Sequence, residues 1–257
     1  MTTPFHLSHG PADSPVLLCL HGIGSAAEAF DPQIPLVERL GRRIVAWDAP
    51  GYGRSPDPAK PYSLDDWADA AADLITATGG GPVDLLGVSW GGVTATRIAL
   101  RHPQLLRSLI LADSSVGSGT TPERAEAMRA RATAVDEHGL ATFAAERSPL
   151  LVGPNTPADV IAEVERLMVN AVRQPSYTWA CASMADTDHR DALALIDLPA
   201  LVIVGEHDQV TPPSLSKQLA AGIAGAELVM IDDAGHLANQ EQPGAFNDAV
   251  AAFLSAE

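Results

Sequence analysis

Apolar residues cluster in six short runs, at residues 16–20, 44–47, 83–86, 109–112, 201–204 and 228–231, and within each run they are mostly consecutive. A strand with one wet face alternates apolar and polar positions. A strand covered on both faces need not, so these runs predict a buried parallel sheet. The stretches between them carry helix-type spacing and helix punctuation. Ser63, followed by Leu64, Asp65 and Asp66, predicts a helix start: the serine caps free N–H groups and the acids meet the positive end of the helix dipole. Gly79, Gly80, Gly81 and Pro82 stop that helix. Strand and helix in alternation predict an α/β fold, a mostly parallel doubly wound sheet with right-handed crossovers. Ahead of Val16 there is room for little more than one further strand.

The alternation breaks once. Residues 115–195 hold no convincing strand, only helical patterns at 122–138, 157–172 and 176–184, separated by Gly139, Ser148-Pro149, Gly153-Pro154 and Gln174-Pro175. An all-helical insertion between two strands of a parallel sheet predicts a cap over the strand ends, where open α/β sheets place their ligands. The expected division is therefore a core of residues 1–114 and 196–257, with a cap (or lid) of residues 115–195. No internal repeat or low-complexity segment is visible.

Composition narrows the partners more than the fold. A chain of 257 residues with 46% apolar content is ordinary globular protein, long enough for a wide sheet covered on both faces. Its formal net charge of −16 argues against nucleic acid and anionic membrane surfaces, both of which attract basic patches. No apolar run approaches a membrane span, and the start Met1-Thr2-Thr3-Pro4-Phe5 lacks a basic region and a long apolar core, so a cytoplasmic, reduced protein is the expectation. Cys19 lies inside an apolar run and reads as a buried thiol; a bond to Cys181, the only other cysteine, stays open.

The sharpest chemical signal is Gly87-Val88-Ser89-Trp90-Gly91-Gly92, which follows one predicted strand and precedes a helical run. A G-x-S-x-G pattern needs that context: small residues allow a tight turn that lifts the serine hydroxyl clear of the backbone. The bland reading is a turn whose serine only caps the helix. A hydroxyl nucleophile needs a base. His236, in the loop after the last predicted strand, is the candidate; His6, His9, His102, His138 and His189 sit in helical or loop contexts and read as solvated surface. His207 reads as a neighbour of the acid. For that acid Asp208, after the run at 201–204, stands ahead of Glu206, with Asp113 as rival from the end of the run at 109–112. The oxyanion of acyl transfer needs backbone N–H donors. Trp90, after the serine, and Ile23, in the turn His21-Gly22-Ile23-Gly24-Ser25, are the expected pair, leaving His21 a structural role. No metal-binding spacing and no phosphate-cradling glycine loop is present, so no metal or organic cofactor is expected.

In order along the chain, the turn at His21–Ser25, the segment Trp47-Asp48-Ala49-Pro50-Gly51-Tyr52-Gly53-Arg54-Ser55, the serine turn, Gly205-Glu206-His207-Asp208 and Gly235-His236 resemble the signature segments of the α/β-hydrolase superfamily. The resemblance implies that fold with a helical cap inserted after the sixth strand, and Ser89, Asp208 and His236 as catalytic triad. Within the superfamily the chain is most similar to 3-oxoadipate enol-lactonases and related small esterases, through Asp188-His189-Arg190-Asp191-Ala192-Leu193, Asp208-Gln209-Val210-Thr211-Pro212-Pro213 and His236-Leu237-Ala238-Asn239-Gln240-Glu241. It implies hydrolysis of a small ester or lactone, such as an enol-lactone of aromatic catabolism. It departs from that pattern at Trp90, where enol-lactonases usually carry Met: the indole either narrows the pocket or packs beneath the cap. Carbon–carbon hydrolases of ring-fission products and cofactor-free perhydrolases share the triad, and a slow-turnover small-molecule receptor on the same fold is the alternative of another class. Trp179, Met184, Met168 and the run Leu150-Leu151-Val152 are candidate pocket walls. For an anionic substrate, Arg147, Arg166, Arg173 and Arg190 are the cap cations on offer.

Overall fold

The computed structural model describes residues 3–256. Seven strands form one sheet: β1 (His6–His9), β2 (Val16–Leu20), β3 (Arg43–Trp47), β4 (Val83–Val88), β5 (Leu106–Ala112), β6 (Ala200–Gly205) and β7 (Glu227–Ile231). Their spatial order is β1-β3-β2-β4-β5-β6-β7; β1 runs antiparallel to β3, and every other pairing is parallel. All six apolar runs are strands, and the space ahead of Val16 holds the one extra strand, β1, which carries His6 and His9 on a half-buried edge instead of a loop.

The helices are α1 (Leu36–Leu40), α2 (Leu64–Ala77), α3 (Trp90–Arg101), α4 (Pro122–His138), α5 (Leu140–Arg147), α6 (Ala158–Ala171), α7 (Ser176–Ala185), α8 (Pro213–Gly222), α9 (Ala238–Glu241) and α10 (Pro243–Ala256). Ser63 caps α2 as its sequence predicts: its hydroxyl accepts from Asp66 N–H, and the Asp66 carboxylate accepts from Ser63 N–H at 2.9 Å. Such a reciprocal box satisfies two end groups at once and contributes about 1 kcal/mol.

Burial follows from position in the sheet. Leu17, Leu18, Cys19 and Leu20 on β2, Leu85 and Leu86 on β4, and the β5 residues Leu109, Ile110, Leu111 and Ala112 are fully covered, each large side chain contributing about 1.5–3 kcal/mol on leaving water. The edge strand β7 departs from this: Met230 is 51% exposed and Leu228 39%, because no described strand pairs beyond it. Cys19 and Cys181 are both buried and free, and burial pushes both thiols up, Cys181 to about 11.

Between β5 and β6 the chain is entirely helical, α4 to α7. This insertion follows the fifth strand, not the sixth that the resemblance implies, because only β1 precedes β2 among the described residues. The chain leaves β2 towards β3 on one side and β4 on the other, so the strand order reverses between β2 and β4. The loops that follow these two strands flank a crevice at the carboxyl edge of the sheet.

Candidate active site

The turn after β4 is built for close approach. A Cβ at Gly87 would lie 2.3 Å from the Gly91 carbonyl oxygen, and one at Gly91 2.0 Å from that of Leu20; neither position can hold a side chain. Ser89 itself sits at φ 56°, ψ −117°, a conformation that costs about 1–3 kcal/mol in a residue with a Cβ. Its surroundings hold it there. Ser89 N–H donates to the Ala112 carbonyl at 2.9 Å, and its own carbonyl accepts from Gly92 N–H, Val93 N–H and the Ser114 hydroxyl. Ser89 makes no side-chain bond to the helix behind it, which removes the capping reading.

The hydroxyl instead meets a histidine. Ser89 Oγ lies 2.9 Å from His236 Nε2, and His236 Nδ1 lies 2.9 Å from Asp208 Oδ2. The Asp208 carboxylate is anchored by Val210 N–H and Thr211 N–H, both at 2.8 Å, and by the Thr211 hydroxyl at 2.7 Å. Burial alone would raise the Asp208 pKa, but the His236 charge and the hydrogen bonds from His236 and Thr211 outweigh it and hold the carboxyl below its ordinary value. Asp113, the rival acid, is fully buried and turned elsewhere: it accepts from Gly205 N–H and Ala238 N–H. Burial and then the nearby Asp208 push its pKa well up. Glu206 is exposed and accepts from Asp233 N–H, and His207 Nε2 lies 3.8 Å from Glu206, away from the acid.

The loop carrying His236 has an anchor that sequence reasoning missed. The Glu241 carboxylate accepts from the N–H groups on both sides of the histidine, Gly235 at 3.0 Å and Leu237 at 3.1 Å. It also accepts from Gly153 N–H and the Thr156 hydroxyl, both at 2.6 Å, so one side chain ties the histidine loop to the helical insertion. The spacing of Glu241 from His236 does not announce the tie to the insertion, since Gly153 and Thr156 come from a distant segment.

At the β2 loop, His21 is structural as expected. Its Nδ1 donates to the Gly22 carbonyl and its Nε2 accepts from Ala49 N–H. Asp48 completes the frame, accepting from Ala27 N–H and from Arg54. Ile23 N–H donates no hydrogen bond among the described residues, and Trp90, as first residue of α3, has no preceding turn to donate to. Both expected oxyanion donors are thus free.

Gly22, Ile23, Gly24, Ser25, Ser89 and His236 line a narrow cavity of about 40 Å³, closed by Arg131, Leu151, Val164 and Met168 of the helical insertion, with Leu237 and Gln240 beside them. Of the expected pocket walls, Met168 and Leu151 stand here. Met184 is buried without lining the cavity, and Trp179 lines a separate outer hollow with Tyr62 and Asp65. Trp90 packs against the helical insertion instead of lining the cavity: its ring meets Trp67 edge-on at 5.0 Å and its Nε1 donates to Ser183 of α7. His189 corrects another expectation. It is 2% exposed, its ring nitrogens have no partner, and burial, followed by the Arg97 charge, lowers its pKa to about 4. Among the described residues no three His, Cys, Asp or Glu side chains converge as metal ligands, and no helix is long and apolar enough to cross a membrane.

A serine hydroxyl bonded to an imidazole at the switch point of a largely parallel sheet, below a helical insertion, is the build of an α/β-fold hydrolase. The chain belongs to the alpha/beta hydrolase fold family, whose sequence model matches residues 15–243. It is 29% identical to 3-oxoadipate enol-lactonase 2 of Acinetobacter baylyi over 97% of this chain and 92% of that one. It is 31% identical to 2-hydroxymuconate semialdehyde hydrolase of a Pseudomonas species, over 93% and 86%. Among solved structures, the enol-lactonase of Burkholderia xenovorans superposes with a TM-score of 0.87 at 26% identity, covering 98% of this chain and 96% of that one.

Proposed function

We propose that this hydrolase cleaves small esters or lactones through an acyl-enzyme on Ser89. The hydrogen-bonded chain from Ser89 Oγ through His236 to Asp208 is the observation that carries the reading. In it, His236 Nε2 takes the serine proton as Oγ attacks the carbonyl, and Asp208 holds the Nδ1–H tautomer and stabilises the imidazolium. The free N–H groups of Ile23 and Trp90 receive the oxyanion, each donor being worth roughly 3 kcal/mol in the transition state. His236 returns its proton to the leaving alkoxide, and water, activated by the same imidazole, releases the acid. In this reading residues 115–195 act as a cap that closes the cavity through Arg131, Leu151, Val164 and Met168. The likeness to enol-lactonases supports an ester or lactone carbonyl as the target.

The test is steady-state turnover of a para-nitrophenyl ester and a simple lactone by wild type and Ser89→Ala. Wild type is expected to complete many turnovers, with kcat falling by about 10⁴-fold or more in the variant. Stoichiometric release without further turnover favours the receptor alternative, and full activity in the variant contradicts the reading.

A further inference from the structure

In an acidic chain most cations find a carboxylate. Arg39 pairs with Asp248, Arg54 with Asp48 and Glu28, Arg101 with Asp65 and Asp69, and Arg129 with Asp186. Three of the four cap arginines singled out from sequence are taken up the same way: Arg166 by Glu163, Arg173 by Asp57, Arg190 by Asp188. Arg131 and Arg147 are different. Among the described residues neither forms an ion pair, although the chain holds 32 acidic residues against 16 Lys and Arg. Both are partly buried, and the Nε of each is buried with no hydrogen-bond partner.

Their placement gives these vacant donors a direction. Arg131 closes the cavity that holds Ser89 and His236, and it also lines, with Arg147 and Arg124, an open hollow of about 480 Å³ between α4, the end of α5 and the loop at Gln209 and Val210. Arg124 and Arg131 lie seven residues apart on α4, two turns along one helix face. Arg147 ends α5 beside them. The two guanidinium groups work against each other: burial, and then the Arg131 charge, lowers the Arg147 pKa to about 10, which leaves Arg147 charged at neutral pH. Tyr177 and Asp208 act on Arg147 in the opposite sense, but the Asp208 carboxylate is already engaged by His236, Thr211 and Val210. Other than a long contact from Arg131 to the Met128 sulfur, no group among the described residues accepts from either guanidinium. Two partly buried cations without an acceptor, facing one cavity in a protein of net charge −16, constitute a receptor for an anion small enough to enter it.

We infer that the substrate of Ser89 is an ester or lactone bearing a free carboxylate, which docks on Arg131 and Arg147 while its carbonyl meets the serine. This rests on the hydrolase reading above and adds the substrate's charge class. A guanidinium receives a carboxylate through two parallel N–H donors, so the docked acid fixes orientation as well as charge.

The experiment compares two para-nitrophenyl esters, the half-ester of glutaric acid and a matched ester in which an isopropyl group replaces the free carboxylate. Wild type is expected to favour the half-ester in kcat/KM, and Arg131→Gln and Arg147→Gln each to cut that preference by about 10–100-fold. Arg131→Lys should restore part of it. Arg166→Gln, whose partner Glu163 lies in its own helix, should leave it in place. Equal efficiency on both esters, or a preference that survives Arg131→Gln together with Arg147→Gln, overturns the carboxylate site while leaving the hydrolase reading intact. Turnover of neither ester, or equal turnover of both by Ser89→Ala, removes the hydrolase reading and this inference with it.

Discussion

The two walls of the Ser89 cavity are held in different ways. On the sheet side each member of the proposed triad is pinned by bonds to backbone groups: Ser89 through Ala112, Gly92 and Val93, Asp208 through Val210 and Thr211, and the His236 loop through Glu241. On the side of the helical insertion, α4 buries only Ala132 and Val135 of its 17 residues, and among the described residues no acid pairs with Arg131 or Arg147. The first wall stores backbone strain that its neighbours hold in place; the second stores unmet hydrogen-bonding capacity that a ligand would meet. The contrast separates the two tasks of a hydrolase. Reacting groups must be in place before substrate arrives, and the groups proposed for that role sit on the carboxyl edge of the sheet. Substrate choice tolerates looser supports, because the substrate itself completes them.

The sharpest way to break this comparison is on the rigid wall. Asp208→Asn is expected to lower kcat by about 10⁴-fold with little loss of stability, because an amide cannot hold the Nδ1–H tautomer of His236. Asp113→Asn is expected to do the reverse. One of its two N–H partners, Gly205 or Ala238, would face an NH₂ group, costing about 1–3 kcal/mol of stability, while kcat changes less than about tenfold. Denaturant unfolding and kinetics on the same two proteins decide the matter; equal catalytic losses would return Asp113 to the mechanism.

A smaller effect probes where the cap meets the sheet. His189, whose N–H donates to the Val116 carbonyl, has its pKa lowered to about 4 from an ordinary value near 6.5. Between those values the unfolded chain binds a proton that the folded chain refuses, so stability falls as pH drops through this window and is fully present above it. The His189 share of that loss is about 3 kcal/mol, and His189→Leu should flatten the stability profile from pH 6.5 to 4. An unchanged slope in the variant would show that some other group governs acid sensitivity.

Sequence reasoning reached the rigid wall far better than the loose one. Consecutive apolar runs, turn glycines and capping residues are local signals, and they led to the strands, the Ser89 turn and the loops carrying Asp208, His236 and Ile23. The acid stayed open between Asp208 and Asp113 because both end buried strands; only the pairing order and the turn at Val210 and Thr211 decide which carboxylate reaches the imidazole. His189 was misread because its neighbours Asp188 and Arg190 are polar and exposed, while its own ring turns inward. Trp179 and Met184, candidate pocket walls by sequence, do not line the Ser89 cavity, whereas Arg131, which does, carries no sequence signal. On a helix as exposed as α4, apolar spacing does not mark the inner face, and what distinguishes Arg131 is the lack of a partner, which no sequence displays.

The central claim is that Ser89 is the nucleophile. Its most direct test is stoichiometric reaction with a fluorophosphonate, followed by intact mass and peptide mapping. One phosphonyl group per chain is expected, on the peptide containing Ser89, with hydrolytic activity lost in proportion and no label on Ser89→Ala. Label on another residue, or full ester hydrolysis by a chain already modified at Ser89, would contradict the account.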